Sequence, residues 1–70
     1  MSFSVNTPID EIPGLAAPAR RALAAAGYMR LEQLGAASEA ELLALHGMGP
    51  NAIKTLRAAL DAAGLSFADQ

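Results

Sequence analysis

Leu45-His46-Gly47-Met48-Gly49-Pro50 decides the fold, because this stretch separates two helical segments and cannot continue an α-helix without cost. We call residues 45–50 the second glycine turn. Two glycines spaced by one apolar residue allow a tight connection with positive φ angles and no Cβ in the way of an approaching ligand. We expect Met48 to point inward and to make the turn rigid. A helix, a tight turn and another helix are therefore predicted here.

The helix before the second glycine turn starts at a recognisable motif. Ser38 followed by Glu41 forms the S-x-x-E capping box, in which each side chain accepts the backbone N–H of the other residue. Leu42, Leu43 and Leu45 are expected to supply the apolar surface of this helix. The sequence thus predicts a short helix that begins at Ser38 and ends at the turn.

The helix after the turn is predicted to run from Pro50 to Ala63. Its apolar residues recur at i, i+3, i+7 and i+10, a spacing that places them on one helix face. These residues are Ile53, Leu56, Leu60 and Ala63. Gly64 followed by Leu65 is typical of a Schellman ending, in which the residue after the glycine folds back on the last turn.

A weaker copy of this pattern occurs in the N-terminal half. Ile12-Pro13-Gly14-Leu15 precedes a helical segment as the second glycine turn does, and Ala16 stands in place of its second glycine. We call residues 12–17 the first glycine turn. The helix that follows is predicted from Ala17 to Ala26, because Pro18 suits a first helical turn. The two turns together indicate a degenerate duplication.

The other apolar residues of this half complete a helical core. The residues predicted to face inward are Leu15, Ala19, Leu23 and Ala26. Gly27 is expected to end the first helix in the left-handed conformation. A short helix is predicted over residues 30–34, with Leu31 and Leu34 facing inward and Gly35 closing it.

Length and composition favour one small all-α domain. The chain has 70 residues, 53% of them hydrophobic, with only three aromatic residues and an abundance of Ala and Leu. We predict a compact bundle of four to five helices over residues 12–67, with a flexible arm at residues 1–11 and a frayed end at residues 68–70. No cysteine is present, which excludes disulfides, thiolate metal sites and a cysteine nucleophile.

Charge and residue inventory exclude several functions. A net charge of −2 argues against wrapping nucleic acid by bulk electrostatics, so any nucleic-acid contact must be local. We expect no enzyme, no cofactor and no metal, because the chain has no catalytic triad, no phosphate-cradling loop and a single His. Without a membrane span or the pattern of a signal peptide, a cytoplasmic protein is expected.

The second glycine turn is the candidate site. The N–H groups of Gly47, Gly49 and Asn51 lack intrahelical acceptors and lie at the positive end of the helix dipole, which favours an anion and above all a phosphate. Nearby cations are expected to support it. The candidate nucleic-acid-binding residues are Arg20, Arg21, Gly47, Met48, Gly49, Asn51, Lys54 and Arg57.

Simpler explanations exist for the same residues. The glycines of the second turn are also explained as a plain connection between two helices, and the cations as solvated surface charge. Asp61 is placed to pair with Arg57 at i+4. His46 is interpreted as a helix-terminal residue that favours the dipole rather than as a ligand.

At residues 12–67 the sequence resembles a tandem helix–hairpin–helix domain of the SAM-like type, specifically the C-terminal domain of the bacterial RNA polymerase alpha subunit. The resemblance rests on Ser38-Glu39-Ala40-Glu41-Leu42-Leu43, the second glycine turn, the Ile53/Leu56/Leu60 stripe and Gly64-Leu65-Ser66. It implies that the turn and the start of the first helix form one surface that contacts the DNA minor groove and its phosphates. It also implies contacts with transcription activators.

The sequence departs from that family at two places. Pro18 stands where the family has an Arg that enters the minor groove, which implies little base readout. Asn51 and Ala52 replace a Lys-Ser pair, and the first Lys after the turn is Lys54, which implies weak phosphate affinity.

Two functions follow from these observations. The first is a DNA-binding module that contacts the backbone weakly and without sequence preference. The second is a protein-interaction module of the same fold that docks on a transcription or repair component through the acidic face of the third helix or the surface of the first. The negative net charge and the absence of the family's minor-groove Arg at Pro18 favour the second function. The intact second glycine turn favours the first.

Overall fold

The computed structural model describes residues 3–69 and confirms an all-α architecture. Four α-helices follow one another: α1 (Ala17–Ala25), α2 (Leu31–Leu34), α3 (Glu39–Leu43) and α4 (Pro50–Ala62). A single 3-10 turn, Ile9–Glu11, precedes α1. Within the described residues there is no strand, only one isolated antiparallel bridge between Pro8 and Arg30.

The predicted capping box at the start of α3 is confirmed. The Ser38 side chain accepts the Glu41 N–H at 3.0 Å, and the Glu41 carboxylate accepts the Ser38 N–H at 3.3 Å. Two of the backbone donors at this helix start are thereby satisfied. This local support matters because α3 has only five residues, too few to be stable alone.

The predicted ending of α4 is also confirmed. Gly64 adopts φ +77°, and the Leu65 N–H donates to the Leu60 carbonyl at 2.7 Å, the bond that defines the Schellman motif. Gly27 adopts φ +92° after α1, and the Tyr28 N–H folds back in the same way. The two long helices therefore end alike.

The core contains most of the residues that periodicity predicted, and several more. Ala26 and Leu43 are corrections: Ala26 is exposed because it lies at the C-cap of α1, and Leu43 is 45% exposed because its neighbour Leu42 is the residue by which α3 enters the core. Ala63 is half-buried. The buried residues are Ile9, Ile12, Leu15, Ala19, Leu23, Leu31, Leu34, Ala37, Leu42, Ile53, Leu56, Ala59, Leu60 and Phe67.

The segment predicted as a flexible arm is attached to the rest of the fold, and Phe3 already packs against the core. The carbonyls of Val5 and Thr7 accept the N–H groups of Glu32 and Leu31, which are the first two residues of α2, and Ile9 is buried. The arm thus supplies acceptors that a helix start lacks. The domain boundary at residue 12 was therefore wrong, although residues 1 and 2 of the predicted arm lie outside the described residues.

The end of the chain is also more ordered than the predicted fraying. Phe67 is fully buried, the Ala68 N–H donates to the Ala37 carbonyl at 2.8 Å, and the Asp69 carboxylate accepts the Glu39 N–H at 3.1 Å. Residues 66–69 run beside the connection between α2 and α3 because Phe67 fills the core there. Gln70 of the predicted frayed end lies outside the described residues.

Candidate nucleic-acid interface

The second glycine turn connects α3 and α4 with one internal backbone hydrogen bond. The Met48 N–H donates to the Leu45 carbonyl at 3.1 Å, and the Met48 side chain is half-buried against the core. Gly47 adopts φ +93°, a conformation that side-chain-bearing residues rarely adopt. The Ile53 N–H then donates to the Gly49 carbonyl at 3.1 Å and starts α4. The turn is thus fixed at both ends.

Gly49 differs from the prediction that both glycines take positive φ angles. Its backbone is extended, with φ −136° and ψ 174°, because the residue before a proline avoids the helical region. A Cβ placed on it would meet nothing within 4 Å. A glycine is therefore not required at this position by conformation or by space.

Gly47 packs against the start of α1. A Cβ placed on it would lie 3.0 Å from the carbonyl oxygen of Pro18, closer than nearly all real Cβ contacts. The second glycine turn and the first turn of α1 are therefore direct neighbours. Pro18 itself is the second residue of α1 and offers neither a charge nor an N–H group at this junction.

Several backbone amides of the second glycine turn and of the first turn of α4 donate no hydrogen bond within the described residues. Within residues 3–69, the N–H groups of Gly47, Gly49 and Asn51 donate no hydrogen bond to the protein, and Gly47 and Asn51 are exposed. Asn51 and Ala52 are the second and third residues of α4, where N–H groups point along the axis out of the helix. The amides of His46 and Ala52, which the sequence analysis did not single out, are equally without a partner in residues 3–69.

The positive end of the α4 dipole adds to these donors. α4 has 13 residues, so its aligned peptide dipoles place partial positive charge at residues 50–52. Lys54 is exposed and follows Asn51 by three residues, which puts both on the same side of the helix. Donors, dipole and one cation therefore occur together at the start of α4.

Arg57 has a different partner from the one predicted. One of its terminal nitrogens donates to the Glu39 carboxylate at the start of α3, and no ion pair joins it to Asp61 within the described residues. Arg57 lies three residues further along α4 than Lys54 and turns toward α3. It is thus held by the protein rather than free beside the turn.

Arg20 and Arg21 lie on different sides of α1. Arg20 lines a small cavity with Asp10, Tyr28 and Met29, on the side of the helix away from the second glycine turn. Successive helical residues are rotated by about 100°, and the exposed Arg21 is the one nearer to the Pro18 side. Of the two arginines predicted to flank the second glycine turn, Arg21 lies nearer to it and Arg20 lies on the other side of α1.

An open groove lies between α1 and the second glycine turn. It is lined by Ala22, Ala25, Ala26, Leu45 and His46. His46 is exposed and lies three residues beyond the last residue of α3, so it does not sit in a helix end as interpreted from the sequence. The exposed Leu43 precedes the groove residue Leu45 by two positions.

Other kinds of site receive no support from the described part of the chain. Among residues 3–69, no group of three or more His, Cys, Asp or Glu side chains is placed to hold a metal ion. None of the helices in this range has the length and apolar character that a membrane crossing requires. Compared with protein-family models, curated proteins and solved structures, the chain gives no significant match.

Proposed function

We propose that this protein is a non-enzymatic DNA-binding module of the helix–hairpin–helix type, which contacts the phosphate backbone through the second glycine turn. The observation that carries this proposal is the set of amides at Gly47, Gly49 and Asn51, which have no acceptor among residues 3–69. Unpaired N–H groups at the start of a helix suit a phosphate, because each donates a hydrogen bond and the dipole favours the negative charge.

The repeated glycine turn supports the tandem form of this fold. Gly14 and Gly47 both adopt positive φ angles, and each precedes the first residue of a long helix by three positions. The residues that follow them, Leu15 and Met48, both pack on the core. A bacterial transcription role in the cytoplasm is the function that the resemblance to the polymerase alpha domain favours.

Binding of this kind is weak and independent of sequence. Backbone amides contact phosphates and do not read bases, so they fix position without specifying sequence. Lys54 is the only cation that follows the turn without an acidic partner in the described residues. With a net charge of −2 the rest of the surface repels DNA, so the affinity depends on the local contact.

Titration of isotope-labelled protein with duplex DNA at low salt tests the proposal. We expect amide shifts clustered at residues 47–54 that disappear as salt is added, because the contact releases counterions. Duplexes of unrelated sequence should give the same shifts. Unshifted amides at residues 47–54 in saturating DNA would exclude the proposed contact.

Lys54→Ala measures the contribution of the cation. We expect weaker binding to all sequences alike and a shallower dependence of log K on log salt, by about 0.9 for one lost phosphate contact. Arg30→Ala is the matched control, because it removes one positive charge at the start of α2, beside the arm. A sequence-selective loss with Lys54→Ala would contradict a backbone contact.

A protein-interaction module of the same fold is the second candidate. Its support is the open groove beside the second glycine turn, whose lining residues Ala22, Ala25, Ala26 and Leu45 are apolar. Contiguous apolar surface that is open to solvent is typical of docking surfaces for proteins. The same titration separates the two candidates, since this function leaves residues 47–54 unchanged by DNA.

A further inference from the structure

The helices α3 and α4 are connected to each other at both ends. At one end the second glycine turn joins the helices covalently. At the other end Glu39, the first residue of α3, forms an ion pair with Arg57, the eighth residue of α4. The Glu39 side chain is 23% exposed and that of Arg57 is 42% exposed, so the pair is partly shielded from water.

Glu39 is itself held in place from the opposite side. Its N–H donates to the Asp69 carboxylate at 3.1 Å, and Ala68 bonds to Ala37 just before it. The Arg57 Nε is buried and has no partner among the described residues. To bind an external phosphate with the nitrogen that contacts Glu39, Arg57 would have to break this ion pair.

We propose that Glu39 and Arg57 form a clasp that positions the second glycine turn, so that Arg57 acts through the turn and not on a phosphate. Five residues cannot keep α3 helical without outside support, and the clasp fixes the end of α3 that the turn does not. A shift of α3 passes directly to Leu42 and Leu45, whose carbonyls accept the hydrogen bonds that shape the turn. The effect on DNA affinity rests on the proposed function, whereas the clasp is a property of the free protein.

Amide hydrogen exchange without DNA tests the clasp by itself. Glu39→Gln keeps the shape of the side chain and removes its charge. Glu32→Gln is the matched control, because it also removes one acid and breaks an ion pair with an arginine, Arg30, at 3.4 Å. We expect the Met48 amide to exchange about three to five times faster in Glu39→Gln and unchanged in Glu32→Gln.

The exchange pattern separates positioning from general destabilisation. In the positioning role the acceleration is confined to α3 and the turn, and the amides of α1 keep their rates. A uniform acceleration that includes α1, or an unchanged rate at Met48, overturns the clasp. The double variant Glu39→Gln/Arg57→Gln should exchange no faster than either single variant, because the two residues act as a pair.

The direction in which DNA affinity changes is a second test of the clasp. If Arg57 contacts a phosphate in the complex and Glu39 competes for it, Glu39→Gln frees Arg57 and raises the affinity, as the loss of any acid does. The clasp instead lowers the affinity in Glu39→Gln by about twofold to fivefold, while Glu32→Gln raises it slightly. Arg57→Gln should leave the salt dependence unchanged, and a slope shallower by about 0.9 overturns the inference. If the unmodified protein does not bind DNA, the proposed function fails and the exchange experiment still decides the clasp.

Discussion

The two glycine turns of this protein share a backbone path and differ in what surrounds it. Gly14 and Gly47 have φ angles of +83° and +93°, but a Cβ on Gly14 would lie 4.0 Å from Thr55, whereas one on Gly47 would lie 3.0 Å from a carbonyl oxygen. The first turn needs a glycine for conformation alone. The second needs it for conformation and for space, because α1 passes close to it.

The difference extends to the donors that each turn offers. Pro50 is the first residue of α4, so the second and third residues keep their N–H groups. Pro18 is the second residue of α1, so the donor of that position is missing. Each helix thus loses one donor, but α4 keeps the adjacent pair at its second and third residues, which favours the second turn as the proposed anion site.

Gly47→Ala should have the largest effect on stability. The positive φ angle and the contact with the Pro18 oxygen together cost about 2–4 kcal/mol of unfolding free energy. In a domain of this size we expect the melting temperature to fall by more than about 10 °C. Urea denaturation followed by circular dichroism measures the change. A loss below about 1 kcal/mol would show that α1 does not press on the turn.

Gly14→Ala is the matched change in the first turn and should cost less. Only the conformational penalty applies, because the space beside Gly14 is open, so we expect a loss of about 1–2 kcal/mol. The same denaturation experiment compares the two variants directly. Equal losses would remove the distinction between the turns.

Gly49→Ser should stabilise the protein and weaken DNA binding. A serine at the N-cap of α4 accepts the N–H of Asn51 or Ala52 and so occupies donors proposed for a phosphate. Together with the lower entropy of the unfolded chain, this cap adds about 0.5–1 kcal/mol of stability. Ala16→Ser caps α1 through the N–H of Ala19 alone, because Pro18 has none, and should leave DNA affinity unchanged. Denaturation and the salt-dependent titration measure the two effects, and undiminished affinity in Gly49→Ser would argue against those donors.

Gly49→Ala should have the smallest effect. The extended backbone accepts alanine without strain, and the weaker N-cap offsets the lower entropy of the unfolded chain, so we expect a change within about 0.5 kcal/mol. Ala16 already occupies the corresponding position of the first turn with a similar extended conformation. DNA affinity should also be retained, which makes this variant the control for Gly49→Ser.

Local patterns in the sequence predicted the helices and most of their ends. The capping box at Ser38, the Ile53/Leu56/Leu60 stripe and the ending at Gly64 all depend on residues within one or two helical turns, and all three are confirmed. The sequence also located the second glycine turn. These features were accessible because each depends on neighbours along the chain.

Features that depend on distant residues were not predicted. Ile9 and Phe67 have no periodic pattern around them, and their burial depends on contacts made across the fold. The partner of Arg57 lies 18 residues away, so a local rule pointed to Asp61 instead. For Gly49 the residue type allows either sign of φ, and the following proline was the better indicator of its extended backbone.

The docking of both chain ends beside α2 has a consequence for how the domain unfolds. The arm satisfies the first two amides of this four-residue helix, and the tail bonds to Ala37, three residues after its end. A helix this short has no stability of its own. We therefore expect that loss of either segment destabilises α2 and the core that Leu31 and Leu34 fill, so that unfolding is one cooperative transition.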